Sequence, residues 1–137
     1  MTVLVVEFAK PEDVTTPGFD GQVFRFPFSA IDRADIGTPR QSSKIRSGRI
    51  RVDVSGVLIA MWQLEGHHLV KVAFELAKEH LTGILRAGAW DGEELRVAAN
   101  SRTQSASCPF DPSLIHEPEG HVVEIEIKRP IGFITNA

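Results

Sequence analysis

EGHHLVKVAFELAKEHLTGIL, running from Glu65 to Leu85, is the stretch that decides the fold. Val70, Phe74, Ala77, Leu81 and Ile84 recur at helical spacing, and Leu69, Ala73 and Leu76 widen the stripe. The pattern predicts one long amphipathic helix with an oily side that must be covered. Its wet side reads Lys71, Glu75, Lys78, Glu79, Thr82 and Arg86. Opposite charges three and four residues apart, as in Lys71 with Glu75 and Glu75 with Lys78, meet on a helix surface and add a few tenths of a kcal/mol each. About 20 residues of helix span about 30 Å. Gly83 or Gly88 supplies a left-handed cap at the end.

The partners for that oily side are strands. Thr2 to Phe8 is a short apolar and β-branched run, and Gln22 to Phe28 alternates so that Phe24, Phe26 and Phe28 share one face. Such an aromatic row reads as core rather than as a platform for nucleic-acid bases. Pro27 on the opposite face has no N–H to give to a ladder, which predicts an edge strand or a strand end. Ile45 to Val54 sets Ile50, Val52 and Val54 against Arg49, Arg51 and Asp53, and Ser55-Gly56 reads as a tight hairpin leading into Val57 to Trp62 as a central strand. Glu94 to Ala99 and His121 to Lys128 alternate in the same way, bringing the expected strands to six. Asp32 to Ser43 and Asn100 to Gly120 lack a hydrophobic period and read as connections. Strands with one polar face favour antiparallel pairing, and a single helix cannot cover both faces of a parallel sheet. The expected fold is therefore α+β: a mainly antiparallel sheet of about six strands against one long amphipathic helix, in a single domain over residues 1–137.

Composition sets the outer bounds. With 42% hydrophobic and 24% charged residues, the 137-residue chain has ordinary globular proportions. The longest apolar run, Val57 to Trp62, is far short of a membrane span, and the lone Cys108 cannot close an internal disulfide. No basic, apolar and small-residue leader pattern opens the chain. The expected compartment is the cytosol. A net charge of −3 argues against a protein that coats nucleic acid.

The sequence has no glycine-rich phosphate loop, dinucleotide fingerprint, nucleophile elbow or CxxC, so no cofactor is expected and the signature-bearing enzyme classes are disfavoured. Charge is the strongest remaining signal. Between Arg33 and Arg51 six cations face Asp35 alone, a surplus of five that leaves −8 on the rest of the chain. Guanidinium groups interleaved with Ser42, Ser43 and Ser47 suit recognition of carboxylate or phosphate. The leading expectation is a non-catalytic binding protein that contacts the acidic surface of another protein through Arg40, Lys44, Arg46, Arg49 and Arg51.

Two alternatives follow from weaker signals. His116, Glu119 and His121 offer imidazole and carboxylate within six residues, the donor types of a zinc or iron site in a small metal-dependent enzyme, although the spacing fits no standard ligand pattern. The basic strand could instead hold single-stranded nucleic acid. The acidic segment Ser107 to Glu126, with Asp111, Glu117, Glu119, Glu124 and Glu126, complements the basic one and allows pairing within the fold or between copies in a homo-oligomer. His67 and His68 are adjacent and diverge on a helix, His80 borders the oily stripe, and Cys108 reads as a small buried hydrophobe rather than a nucleophile.

Overall fold

The computed structural model describes residues 2–64, 68–100 and 116–127. The chain runs β1 (Thr2–Phe8), β2 (Glu12–Asp13), β3 (Gly21–Asp32), a 3-10 turn (Arg33–Asp35), α1 (Gln41–Lys44), β4 (Arg46–Ser55), α2 (Gly56–Leu64), α3 (Leu69–Arg86), β5 (Leu95–Ala99) and β6 (Val122–Ile127). Five strands form one sheet in the order β5-β4-β3-β1-β6, and the short β2 also pairs with β3. The architecture is mixed α+β. All pairs are antiparallel except β4 with β5, which is parallel. Parallel neighbours cannot be joined by a tight turn, so the chain must cross over, and α2 and α3 together make that crossing.

This corrects the expectation for Val57 to Trp62, which is not a central strand after a hairpin but lies within α2. A six-residue apolar run carries no period to separate strand from helix. Its Leu58, Ala60 and Met61 favour helix, and Leu58 and Trp62, four apart, are both fully buried. The stretch expected to be an irregular connection holds the 3-10 turn and α1, with Asp32 capping the turn by accepting from the Ala34 N–H at 2.9 Å.

β3 is central rather than at an edge, and the reason concerns Pro27. Opposite β3, the Phe8–Phe28 pair and the Glu12–Arg25 pair enclose residues 9–11 on one strand and 26–27 on the other. One extra residue makes a bulge between β1 and β2. Pro27 sits at that break, its carbonyl accepting from Ala9 at 2.9 Å, and its missing N–H points where the ladder is already interrupted.

One hydrophobic core underlies all of this. Leu4, Val6 and Phe8, Phe24, Phe26 and Phe28, Ile50, Val52 and Val54, and Ile125 and Ile127 line the sheet face that α2 and α3 cover. Phe74 of α3 meets Phe8 edge-on at 4.8 Å and Phe26 at 5.6 Å. Fully burying side chains of this size contributes about 1.5–3 kcal/mol each. The helix ends on Gly88, with φ of 66°, whose N–H bonds Leu85 O at 3.0 Å while Ala89 N–H bonds Ile84 O at 3.1 Å. These two bonds form the paired C-terminal cap that a left-handed residue permits. Gly88, not Gly83, is therefore the capping glycine. Among the described residues no helix is long and apolar enough to cross a membrane.

Candidate functional site

Strand alternation sends every second residue away from the helices. On this second face stand Glu7 of β1, Arg25, Pro27 and Ser29 of β3, Ser47, Arg49, Arg51 and Asp53 of β4, Arg96 of β5, and Glu124 and Glu126 of β6. Register places Arg25, Arg51 and Arg96 side by side across three adjacent strands. Like charges directly opposite repel unless compensated. Compensation comes from Asp53, whose carboxylate accepts from Arg51 Nε at 2.9 Å and Nη2 at 3.4 Å, and from Glu94, which accepts from Arg25 Nε at 2.7 Å. The hydrogen bond that Arg51 donates to Asp53 raises the Arg51 pKa further; burial opposes this, and the charges of Asp53 and Glu94 reinforce it.

Where β1 ends beside the middle of β3 and the start of β4, the stagger of the strands leaves an open cavity of about 710 Å³. Its walls include Glu7, Pro27, Ser29, Ser47, Arg49 and Glu94. Glu7, Ser29 and Ser47 lie in one row across three strands, with Arg49 one step along on the same face. Arg49 is exposed and forms no ion pair or hydrogen bond among the described residues, in contrast to Arg25 and Arg51.

The five cations read from the sequence do not make one surface. Arg40 lies in the turn before α1, 3.5 Å from Asp35, and Lys44 is 8% exposed at the end of α1. Arg46 shares the parity of Ile50, not of Arg49, and donates to the carbonyls of Ser43 at 3.0 Å and Ile45 at 3.4 Å. Only Arg49 and Arg51 share a face, and Arg51 is 22% exposed in its pair with Asp53. Glu94 and Glu7 complete the charge pattern; the sequence places Glu94 on the outward face at the start of a strand but does not say which cation it meets.

A second cluster forms where α3 faces the loop before β6. Glu75, expected on the wet side of the helix, is buried: its carboxylate accepts from Lys78 Nζ at 2.8 Å and from the His116 backbone N–H at 3.1 Å. His116 Nδ1 lies 3.2 Å from Glu75 Oε1 and 3.3 Å from Lys78 Nζ. Donation to the carboxylate leaves Nε2 of His116 as the acceptor. Burial works to raise the Glu75 pKa, but hydrogen bonds from Lys78 and His116, together with the Lys78 charge, outweigh it and hold the carboxyl below its ordinary value. His121 packs on His116 at 4.6 Å and edge-on to Phe74 at 5.6 Å. Its pKa is lowered, chiefly by burial and then by the charges of Lys78 and His116, with Glu75 acting the other way. Lys71 pairs with Glu117 at 3.2 Å rather than with Glu75.

Of the metal-ligand candidates, His116 and His121 come together while Glu119 is exposed, and no group of three His, Cys, Asp or Glu residues is placed to share a metal ion among the described residues. Phe24, Phe26 and Phe28 are buried, so they offer no stacking platform. His68 precedes α3, and His80 is exposed on it. His67, Cys108 and Asp111 lie outside the described residues. No family model matches the sequence, no curated protein matches it, and no solved structure matches its fold.

Proposed function

We propose that this is a binding protein that receives an acidic side chain of a protein partner on the open face of its sheet, with Arg49 as the anchoring charge and the Ser29 and Ser47 hydroxyls beside it. The observation that carries this reading is the contrast among the arginines of β3 and β4: Arg25 and Arg51 are neutralised, whereas Arg49 lines the cavity without a partner among the described residues. A guanidinium in a half-enclosed cavity suits a carboxylate, which it holds with two parallel hydrogen bonds.

A nucleic-acid strand fits less well. It presents a charge every few ångströms and needs several cations at once. Here two arginines of the face are already paired, and Glu7, Glu124 and Glu126 on the same face repel a polyanion.

The test uses immobilised wild-type chain and Arg49→Glu in extract of the native host. A hydrogen bond to a charged group contributes about 1.5–3 kcal/mol, so the variant binds its partner about 10- to 100-fold more weakly. The thermal midpoint stays close to wild type because Arg49 is exposed and unpaired. Equal recovery of every retained protein by the two forms refutes the assignment.

A further inference from the structure

Beyond the Arg49 cavity and independent of it, the outer edge of β6 has the features of a docking site. We propose that it accepts, as an added strand, an extended segment of a partner protein in which apolar residues alternate with lysine or arginine.

Among the described residues β6 pairs with β1 alone, and none of them pairs with the other side of its ladder. The direction of the open groups follows from the register. Phe8 N–H donates to His121 O at 2.9 Å, which turns the backbone groups of residues 121, 123, 125 and 127 toward β1. The N–H and C=O groups of Val122, Glu124 and Glu126 therefore point outward. A strand laid along them would extend the sheet over the flank of α3.

What the added strand must carry is set by its two faces. On the helix side lies a cavity of about 650 Å³ between α3 and β6, with Val123, Ile125, Thr82 and Gly83 among its walls beside the charged side chains of Lys78, Glu79 and Arg86. Space is open at Gly83, where an added Cβ would have no heavy atom within 4 Å. Apolar side chains of moderate size fit there. On the opposite side, incoming residues stand about 5 Å from Glu124 and Glu126, both exposed, and among the described residues the cation beside them is Arg33, 3.5 Å from Glu124. Two carboxylates against one peripheral guanidinium favour cations at alternate positions.

A second copy of β6 is a poor occupant. Two-fold antiparallel pairing keeps like faces together, so the two registers of fullest overlap set Glu124 against Glu126 of the other copy or against its own counterpart. Both registers bring carboxylates face to face, the device by which edge strands avoid self-pairing.

The test is amide hydrogen exchange on the full chain with two acetylated hexapeptides, one alternating lysine with valine and one alternating glutamate with valine. The lysine peptide is expected to slow exchange at Val122, Glu124 and Glu126 at least tenfold, the glutamate peptide to leave it unchanged, and the Glu124→Lys/Glu126→Lys variant to reverse the preference. A second variant, Gly83→Leu, fills the cavity without touching the ladder and is expected to weaken protection by the lysine peptide. No protection by either peptide, equal protection by both, an unaltered preference in the charge-reversed variant, or protection of these amides that rises with protein concentration alone would each overturn the proposal. The Arg49→Glu chain keeps its response to the lysine peptide, so the two readings fail separately.

Discussion

Replacing Gly48 by alanine tests the packing that shapes the Arg49 cavity. Gly48 lies in β4 opposite Phe28, next to Arg49, and its φ is not positive, so alanine meets no backbone penalty. The obstacle is space: an added Cβ would stand 2.5 Å from Phe28 Cζ and 2.5 Å from Trp90 Cζ2. Carbon atoms settle at about 3.5–4.0 Å, so both rings must give by about 1 Å. Neither ring is free to do so. Phe28 and Trp90 are buried with centroids 5.2 Å apart, and Trp90 Nε1 donates to Glu93 O at 2.9 Å. Overpacking of this kind costs about 1–3 kcal/mol, and the reduced freedom of the unfolded chain returns about 0.4–1 kcal/mol. The net expectation is a loss of about 1–2 kcal/mol, or about 3–8 °C in thermal midpoint for a chain of 137 residues. Urea unfolding followed by tryptophan fluorescence should show a lower midpoint at constant slope. The same substitution in a Trp90→Leu background should cost less, because one of the two rings that block the methyl is gone and Phe28 gains room to turn. A Gly48→Ala chain as stable as wild type, or a cost undiminished after Trp90 is removed, refutes the reasoning.

Four further outcomes follow. Gly83→Ala, in the exposed interior of α3 with open space at Cβ, should raise stability by about 0.5–1 kcal/mol in the same urea assay. Glu75→Gln should cost about 1–3 kcal/mol at neutral pH, since Lys78, 16% exposed, loses its charged acceptor; calorimetry measures it. Acid should destabilise the fold in two steps. Below about pH 6.5 the unfolded chain protonates His121 while the half-buried ring resists, and below about pH 4.5 the Glu75 contribution, complete above that value, is lost as the pH falls through its lowered folded pKa. His121→Asn should abolish the first step and keep the second in thermal melts across pH. Arg51→Gln should cost less than about 1 kcal/mol by calorimetry, because its pair with Asp53 is partly solvent-exposed.

The helix was legible because its period is long enough to be unambiguous. The prediction ran from Glu65 to Leu85, and the structure has α3 from Leu69 to Arg86. Four of the strands that flank it were legible for the same reason, since Phe24, Phe26, Phe28 and Ile50, Val52, Val54 repeat at two. What failed was information the pattern does not contain. Val57 to Trp62 is apolar on all sides, so its period says nothing, and reading it as a strand removed the crossover that makes β4 and β5 parallel. Pro27 was misplaced because its tolerance depends on a bulge contributed by residues 9–11, which are remote in sequence.

The site shows the same division between local and long-range information. Counting cations along Arg33 to Arg51 treats charge as additive, but strand parity separates Arg46 from Arg49 and Arg51, and pairing partners then decide which charge remains available. Asp53 is two residues from Arg51 and on the same face, so that neutralisation was readable in principle. Glu94 reaches Arg25 across β4 from the start of β5, a relation fixed only once the parallel pairing is known. Among the described residues Arg49 is left unpaired because its register neighbours are Pro27 on β3 and the residue before Leu95 beside it, and that residue, Glu94, is already held by Arg25. Arg25→Ala would free Glu94, whose register neighbour on β4 is Arg49. The variant should then lose partner capture even though Arg49 itself is intact, whereas an Arg25→Ala/Glu94→Gln double variant should regain it. Capture that follows Arg25 regardless of Glu94 would place the anchoring charge on Arg25 instead.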